Sequence, residues 1–177
     1  MAQRLMTVRI LWFSLLVSTA MFLVVLVFAK NPEPNRMPIL PPAFGVMALG
    51  LAVLSFVIPG QVQRTACARA SLQLTEQADP NASSVIPYRD APKRLVFADL
   101  EQASRAAFVA YQPAMIIGCS LCEAIALSGF VIAYMGHPLP LALPFFALSW
   151  LLFALRFPTL ARVRGPLEKA KGAVFSS

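Results

Sequence analysis

The chain has 177 residues, 58% of them hydrophobic and only 13% charged, with a formal net charge of +7. That balance lies outside ordinary soluble domains and indicates a polytopic membrane protein. The basic residues flank hydrophobic runs without interleaved exposed aromatics, a pattern that marks membrane orientation and excludes a nucleic-acid partner.

Four runs have the length and apolarity of membrane-spanning helices. The first, residues 10–29, follows Arg4 and Arg9 and holds no charge. Val27 and Ala29 satisfy the small-residue rule of a cleaved signal, but a run near twenty residues is longer than a usual signal core, so a retained helix is expected. Residues 30–37 form a short, proline-broken loop, and the second run, 39–59, opens on Pro41 and Pro42, where missing amide donors do little harm.

Residues 61–106 are the one sizeable polar connection. Residues 61–78 have helix-friendly composition, prolines at 80, 87 and 92 make 79–92 a turn, and Asp99 and Glu101 precede a helix-forming run. This predicts a helical projection, two extensions joined by an irregular tip, too short for a second domain with its own core. The third run is 111–135. Gly136-His137-Pro138-Leu139-Pro140 permits only a tight turn, with His137 expected in solvent, and the fourth run, 141–157, is ended by Pro158. The tail, 158–177, is basic and then small and polar, and is expected to be loosely ordered.

Orientation follows from Lys and Arg. Thirteen of them flank the N-terminal run, the 61–106 connection and the C-terminal end; only Lys30 and Arg36 fall on the other side. The expected fold is therefore all-α: a single integral membrane domain of four transmembrane helices with both termini and the connection cytoplasmic, in a bacterial plasma membrane, or on the equivalent side in an organelle. The third run then leads outward. The sequon Asn81-Ala82-Ser83 would lie on the cytoplasmic side, which excludes glycosylation, and Trp12 and Tyr134 suit interfacial belts.

Only the third run carries a charge in its interior, Glu123, about midway between Pro113 and Tyr134. A carboxylate in that layer costs about 2.5–3.5 kcal/mol unless it is protonated, paired or hydrated, so it starts as a functional-site hypothesis. Helical spacing puts Gln112, Ile116, Cys119, Ser120, Glu123, Ala126 and Phe130 on one stripe. An ion-binding set of Glu123 with Cys119, Ser120 and Gln112 follows from that stripe. Gly118, Cys122, Ala126 and Gly129 are the small residues expected to let another helix approach, which makes this run the candidate central helix. Low dielectric favours the neutral carboxyl, which can tie helices through the hydroxyl of Ser14, Ser18, Thr19 or Ser55; the other reading is a carboxylate that exchanges a proton or cation.

Cysteines number three, Cys67, Cys119 and Cys122, with two in an apolar run, so no structural disulfide is expected. Cys119-Ser120-Leu121-Cys122 is a C-x-x-C beside Glu123. With no second ligand pair, its thiols read as small apolar residues, and no metal or cofactor is expected. There is no glycine-rich phosphate loop, Ser/His/Asp set or H-E-x-x-H, so an enzyme of known type is not expected.

The pattern Ile116-Ile117-Gly118, Leu121, Glu123-Ala124, Ala126-Leu127, Gly129 and Val131-Ile132-Ala133 resembles the carboxylate-bearing helix of the rotary ATPase proteolipid, the c subunit family. Arg105 and Tyr111-Gln112-Pro113 look like a displaced version of that family's cytoplasmic polar loop. The resemblance covers residues 111–135 and implies that Glu123 matches the proton- or sodium-binding acid. The family's partner helix is glycine-ribbed, whereas 39–59 offers Gly45 and Gly50 among bulky Phe44, Met47, Leu51 and Phe56, which predicts against a tightly wound ring. The leading expectation is a small membrane subunit or scaffold packing in the lipid bilayer against other membrane chains or copies of itself. The alternatives are a proton or cation translocation component acting through Glu123, and an assembly factor using residues 61–106.

Overall fold

A computed structural model describes residues 2–28, 37–78 and 93–175. In chain order its elements are α1 (Ala2–Phe28), α2 (Leu40–Arg69), β1 (Leu74–Ala78), β2 (Lys93–Phe97), α3 (Leu100–Tyr134), α4 (Leu139–Leu155), α5 (Leu160–Lys171) and β3 (Ala173–Val174). The longest, α3, starts where Asp99 is extended and its carboxylate accepts from the amides of Glu101 and Gln102 at 2.8 and 2.9 Å. Those amides would otherwise lack partners in the first turn. From there the helix continues for 35 residues, through Pro113.

The protein is all-α, apart from the small sheet, and α1, α2 and α3 are each long and apolar enough to cross a membrane. At 1.5 Å per residue α3 is about 52 Å long and α2 about 45 Å, so both outlast a hydrocarbon core of about 30 Å. The helix α4 is apolar but has only 17 residues. Half of the apolar window of α3 is buried, against 6% in α1 and 17% in α2. It is the central helix, packed by α1, α2, α4 and α5. Its buried side chains Cys119, Cys122 and Ile125 join Phe153, Val163 and Leu167 in the main core, and Ala126 meets Ala142 and Phe146 in a smaller cluster.

Two expectations need correction. The 61–106 connection is helical only at its ends, where α2 runs on to Arg69 and α3 starts at Leu100; between them residues 74–78 are not helix but strand, and β1 and β2 pair antiparallel with Leu74 opposite Phe97. Val96 and Phe97 are buried, and Phe97 packs on Phe175 with ring centroids 4.8 Å apart, so the apolar residues of this stretch serve a sheet. The described part of the tail, 158–175, is not loosely ordered either. Thr159 caps α5, which buries Val163 and Leu167, and Gly172, at φ 61°, turns the chain into β3. That φ suits glycine, which lacks the Cβ that makes it costly. β3 then lies parallel to β2, with Leu95 opposite Ala173 and Val96 opposite Val174. The 79–92 turn with its sequon, most of the 30–37 loop, and Ala29 lie outside the described residues.

The sheet marks one end of the molecule. Arg4 approaches Glu101 at 3.9 Å, Arg9 lies over the Phe157 ring at 5.3 Å, and Lys171 donates to the Ala68 carbonyl at 2.9 Å. These contacts bring the starts of α1 and α3 together with the ends of α2, α4 and α5. At the opposite end Gly136, at φ 88°, makes the turn from α3 to α4. His137 is half-buried there and its Nε2 is enclosed without a hydrogen-bond partner among the described residues, so this turn residue is not a solvated one.

Candidate functional site

Glu123 lies in the middle of three interhelical hydrogen bonds at one level. Ser18 Oγ donates to Glu123 Oε1 at 2.5 Å, joining α1 to α3. Trp150 Nε1 donates to Thr19 Oγ1 at 3.0 Å, joining α4 to α1, and Ser149 Oγ donates to the Cys122 carbonyl at 2.7 Å, joining α4 to α3. Each helix supplies two consecutive residues: Ser18 and Thr19, Cys122 and Glu123, Ser149 and Trp150. Successive helical residues diverge by about 100°, so a neighbouring pair can reach two different helices at the same height. Thr19 and Ser149 are fully buried, and Thr19 also donates to the Leu16 carbonyl at 2.7 Å.

Of the four hydroxyls considered for Glu123, Ser18 is the one that reaches it. Ser14 donates to the Ile10 carbonyl, and Ser55 donates to the Ala52 carbonyl on the far side of α3. Glu123 is half-buried, and its second carboxyl oxygen has no hydrogen bond to a described residue.

The stripe drawn from sequence divides. Cys119 is fully buried, whereas Ser120 and Gln112 are exposed, and none of the three is hydrogen-bonded to Glu123 among the described residues. The reason is geometric: positions three and four residues before Glu123 lie about 60° to one side of it and about 40° to the other. Gln112 instead lines a separate cavity with Arg4 and Arg105.

The small residues take different roles. Cys122 and Ala126 are fully buried. A Cβ on Gly129 would come within 2.8 Å of Phe145 Cβ and 3.0 Å of the Ala142 carbonyl, so this glycine is where α4 comes closest. A Cβ on Gly118 would collide with the guanidinium of Arg156 and approach Pro59 Cγ at 3.2 Å. Gly45 and Gly50 have nothing within 4 Å of such an atom.

Arg156 is the residue that sequence reasoning missed. It follows α4, where a basic side chain ordinarily reaches toward water. Here it turns inward, donating through Nη2 to the carbonyl of Ser55 and, at 2.9 Å, to its hydroxyl, with the guanidinium carbon 4.6 Å from the Phe56 ring centroid. Gly118 is the one sequence signal, since it leaves room for the planar group. The three cysteines are buried free thiols, and among the described residues no three His, Cys, Asp or Glu side chains form a group that could hold a metal.

The fold and this geometry define an all-α membrane protein whose central helix carries one half-buried carboxyl, hydrogen-bonded within the bundle. No protein-family model, curated protein or solved structure matches the chain.

Proposed function

We propose that the chain is a small membrane subunit or scaffold, in which Glu123 ties the bundle together while α1 and α2 offer apolar faces to other membrane helices. The observation that carries this reading is the Ser18–Glu123 hydrogen bond, because it commits one carboxyl oxygen to helix packing. Hydrogen bonds of this kind between membrane helices contribute about 0.6 kcal/mol on average and up to about 1.7. With Thr19–Trp150 and Ser149–Cys122, they fix the register of α1, α3 and α4. The outward faces of α1 and α2 carry Phe13, Val17, Met21, Val46, Leu49 and Val53, all exposed and apolar, suited to lipid or to another chain.

In this reading α4 is the fourth crossing. Its 17 residues span about 26 Å, slightly less than the hydrocarbon core, a mismatch accommodated by local thinning and by reorienting flanking side chains. Both termini and the sheet face the cytoplasm of a bacterial plasma membrane. The gathering of Arg4, Arg9, Arg105, Arg156 and Lys171 at the sheet end supports that orientation through the positive-inside rule.

A second reading, a proton or cation translocation component related to the rotary proteolipid, draws on the carboxyl oxygen of Glu123 that has no hydrogen bond to a described residue. The openness around Gly45 and Gly50 favours the scaffold, because α2 does not use them as a packing rib within the chain.

The deciding experiment is the mass of the detergent-purified protein with its co-purifying chains, combined with proton uptake by proteoliposomes. A stoichiometric complex that survives Glu123→Gln, without proton uptake, supports the scaffold. A lone monomer overturns it. Proton uptake abolished by Glu123→Gln, or a homomeric ring, favours translocation.

A further inference from the structure

At the sheet end a cavity of about 270 Å³ opens between α2, α3, α4 and α5. Its polar lining comes from Gln63, Tyr111, Arg156 and Arg162, and Pro59 and Met115 form apolar walls. No carboxylate lines it, and neither arginine makes an ion pair among the described residues. Both guanidiniums are held by the protein. Arg156 is fixed by Ser55 and Phe56, and Arg162 donates through Nη1 to the Leu155 carbonyl at the end of α4. The Nε of Arg156 is buried without a hydrogen-bond partner among the described residues. Gln63 donates one amide hydrogen to the Arg162 carbonyl at 3.1 Å, which leaves its second hydrogen uncommitted by that bond.

Two half-fixed guanidiniums, beside neutral donors and an apolar wall and with no carboxylate in the lining, make this a basic, donor-rich cavity. A planar guanidinium presents paired N–H groups that match phosphate oxygens; Arg156 is half-buried with its Nε enclosed, and Arg162 is exposed at the edge of the cavity. The cavity lies at Pro59 and Gly60 of α2 and at Arg156, which follows α4, and on the membrane placement proposed above for those two helices this is the level of lipid phosphates. Basic pockets between membrane helices at this level bind acidic headgroups. The volume suits a headgroup better than a larger ligand.

We propose that this cavity binds a phosphate-bearing anion, with Arg156 and Arg162 supplying the charge and Gln63 and Tyr111 neutral hydrogen bonds. The phosphate belongs either to an anionic lipid or to a small soluble ion. This site is separate from Glu123 and stands whether Glu123 packs or translocates.

The test uses the full chain in nanodiscs of phosphatidylcholine with 20% phosphatidylglycerol, released into detergent and examined by native mass spectrometry. The expected result is one retained phosphatidylglycerol per chain, reduced at least tenfold in Arg162→Gln and unchanged in Lys169→Gln, a charge-matched control on the exposed part of α5. Because Arg156 is part of the packing, Arg162→Gln and Gln63→Ala carry the test if Arg156→Gln does not fold. In parallel, inorganic phosphate at millimolar concentration is added to the protein in phosphatidylcholine alone. A rise in melting temperature that Arg162→Gln abolishes assigns the site to a soluble anion. Retention of the lipid without a response to phosphate assigns it to a headgroup. Retention that is equal for both lipids or independent of Arg162, together with no response to phosphate, overturns the proposal.

Discussion

Ser18 and Glu123 meet at 2.5 Å although 105 residues separate them in the chain. The contact requires α1 and α3 to lie side by side in one register, so it is a sensitive reporter of bundle assembly. Glu123→Gln keeps a carbonyl oxygen to accept from Ser18 and is expected to change stability by less than about 0.5 kcal/mol. Glu123→Ala removes the acceptor and is expected to cost about 0.6–1.7 kcal/mol. Reversible unfolding in mixed micelles measures both, and equal losses in the two variants would remove the hydrogen bond from the account.

Thr19 and Trp150 allow a cleaner measurement, because each partner has a near-isosteric replacement. Thr19→Val leaves the indole N–H without its acceptor, and Trp150→Phe removes the donor. A double-mutant cycle on the pair is expected to give a coupling of about 0.6 kcal/mol and no more than about 1.7. A coupling indistinguishable from zero would mean that the α1–α4 contact rests on apolar packing alone.

The glycines separate into two classes with opposite expectations. At Gly129 an added methyl meets Phe145 and the Ala142 carbonyl, so Gly129→Ala is expected to destabilise by about 1–3 kcal/mol. At Gly45 and Gly50 the methyl meets nothing, and alanine replaces a poor helix former, so each is expected to be neutral or to stabilise by up to about 1 kcal/mol. Thermal unfolding of the single variants in one detergent checks the contrast. A loss of complex mass in Gly45→Ala or Gly50→Ala without loss of monomer stability would place another chain against that face.

Cys67, Cys119 and Cys122 are all fully buried. A membrane-permeant maleimide is expected to leave all three unmodified in the folded protein and to label all three after unfolding in dodecyl sulfate. Mass spectrometry counts the adducts directly. Rapid modification of Cys119 or Cys122 in the folded state would contradict the close approach of α2 and α4 to α3.

Gly172 holds a left-handed φ of 61° between α5 and β3. Gly172→Ala is expected to cost about 1–2 kcal/mol, with the loss confined to the sheet end. Hydrogen exchange is then expected to speed up in β2 and β3 while the middle of α3 stays protected.

Hydropathy and small-residue content made the membrane helices and the central position of α3 legible from sequence. Asp99 marked the start of α3, because a short carboxylate before a helix-forming run is a cap. Ser18 stood among four hydroxyls, and sequence had no means of choosing, since the choice depends on how α1 rotates about its axis. The sheet was not legible. Its third strand is only Ala173 and Val174, and parallel pairing with Leu95 and Val96 leaves no local signal such as a two-residue hairpin turn. Arg156 was read from the flank of an apolar run, where the outward direction is the default; its inward turn depends on Phe56, Ser55 and Gly118, brought together only by tertiary packing.

The order in which the sheet is made has a consequence for biogenesis. β3 leaves the ribosome after α1 to α5, yet it pairs with a strand made before α3. Until then β2 keeps an unpaired edge and Phe97 lacks the Phe175 ring, so this end remains open throughout insertion. Its closure has to follow the synthesis of α5, and a chain stalled within α5 would display that edge to chaperones and proteases.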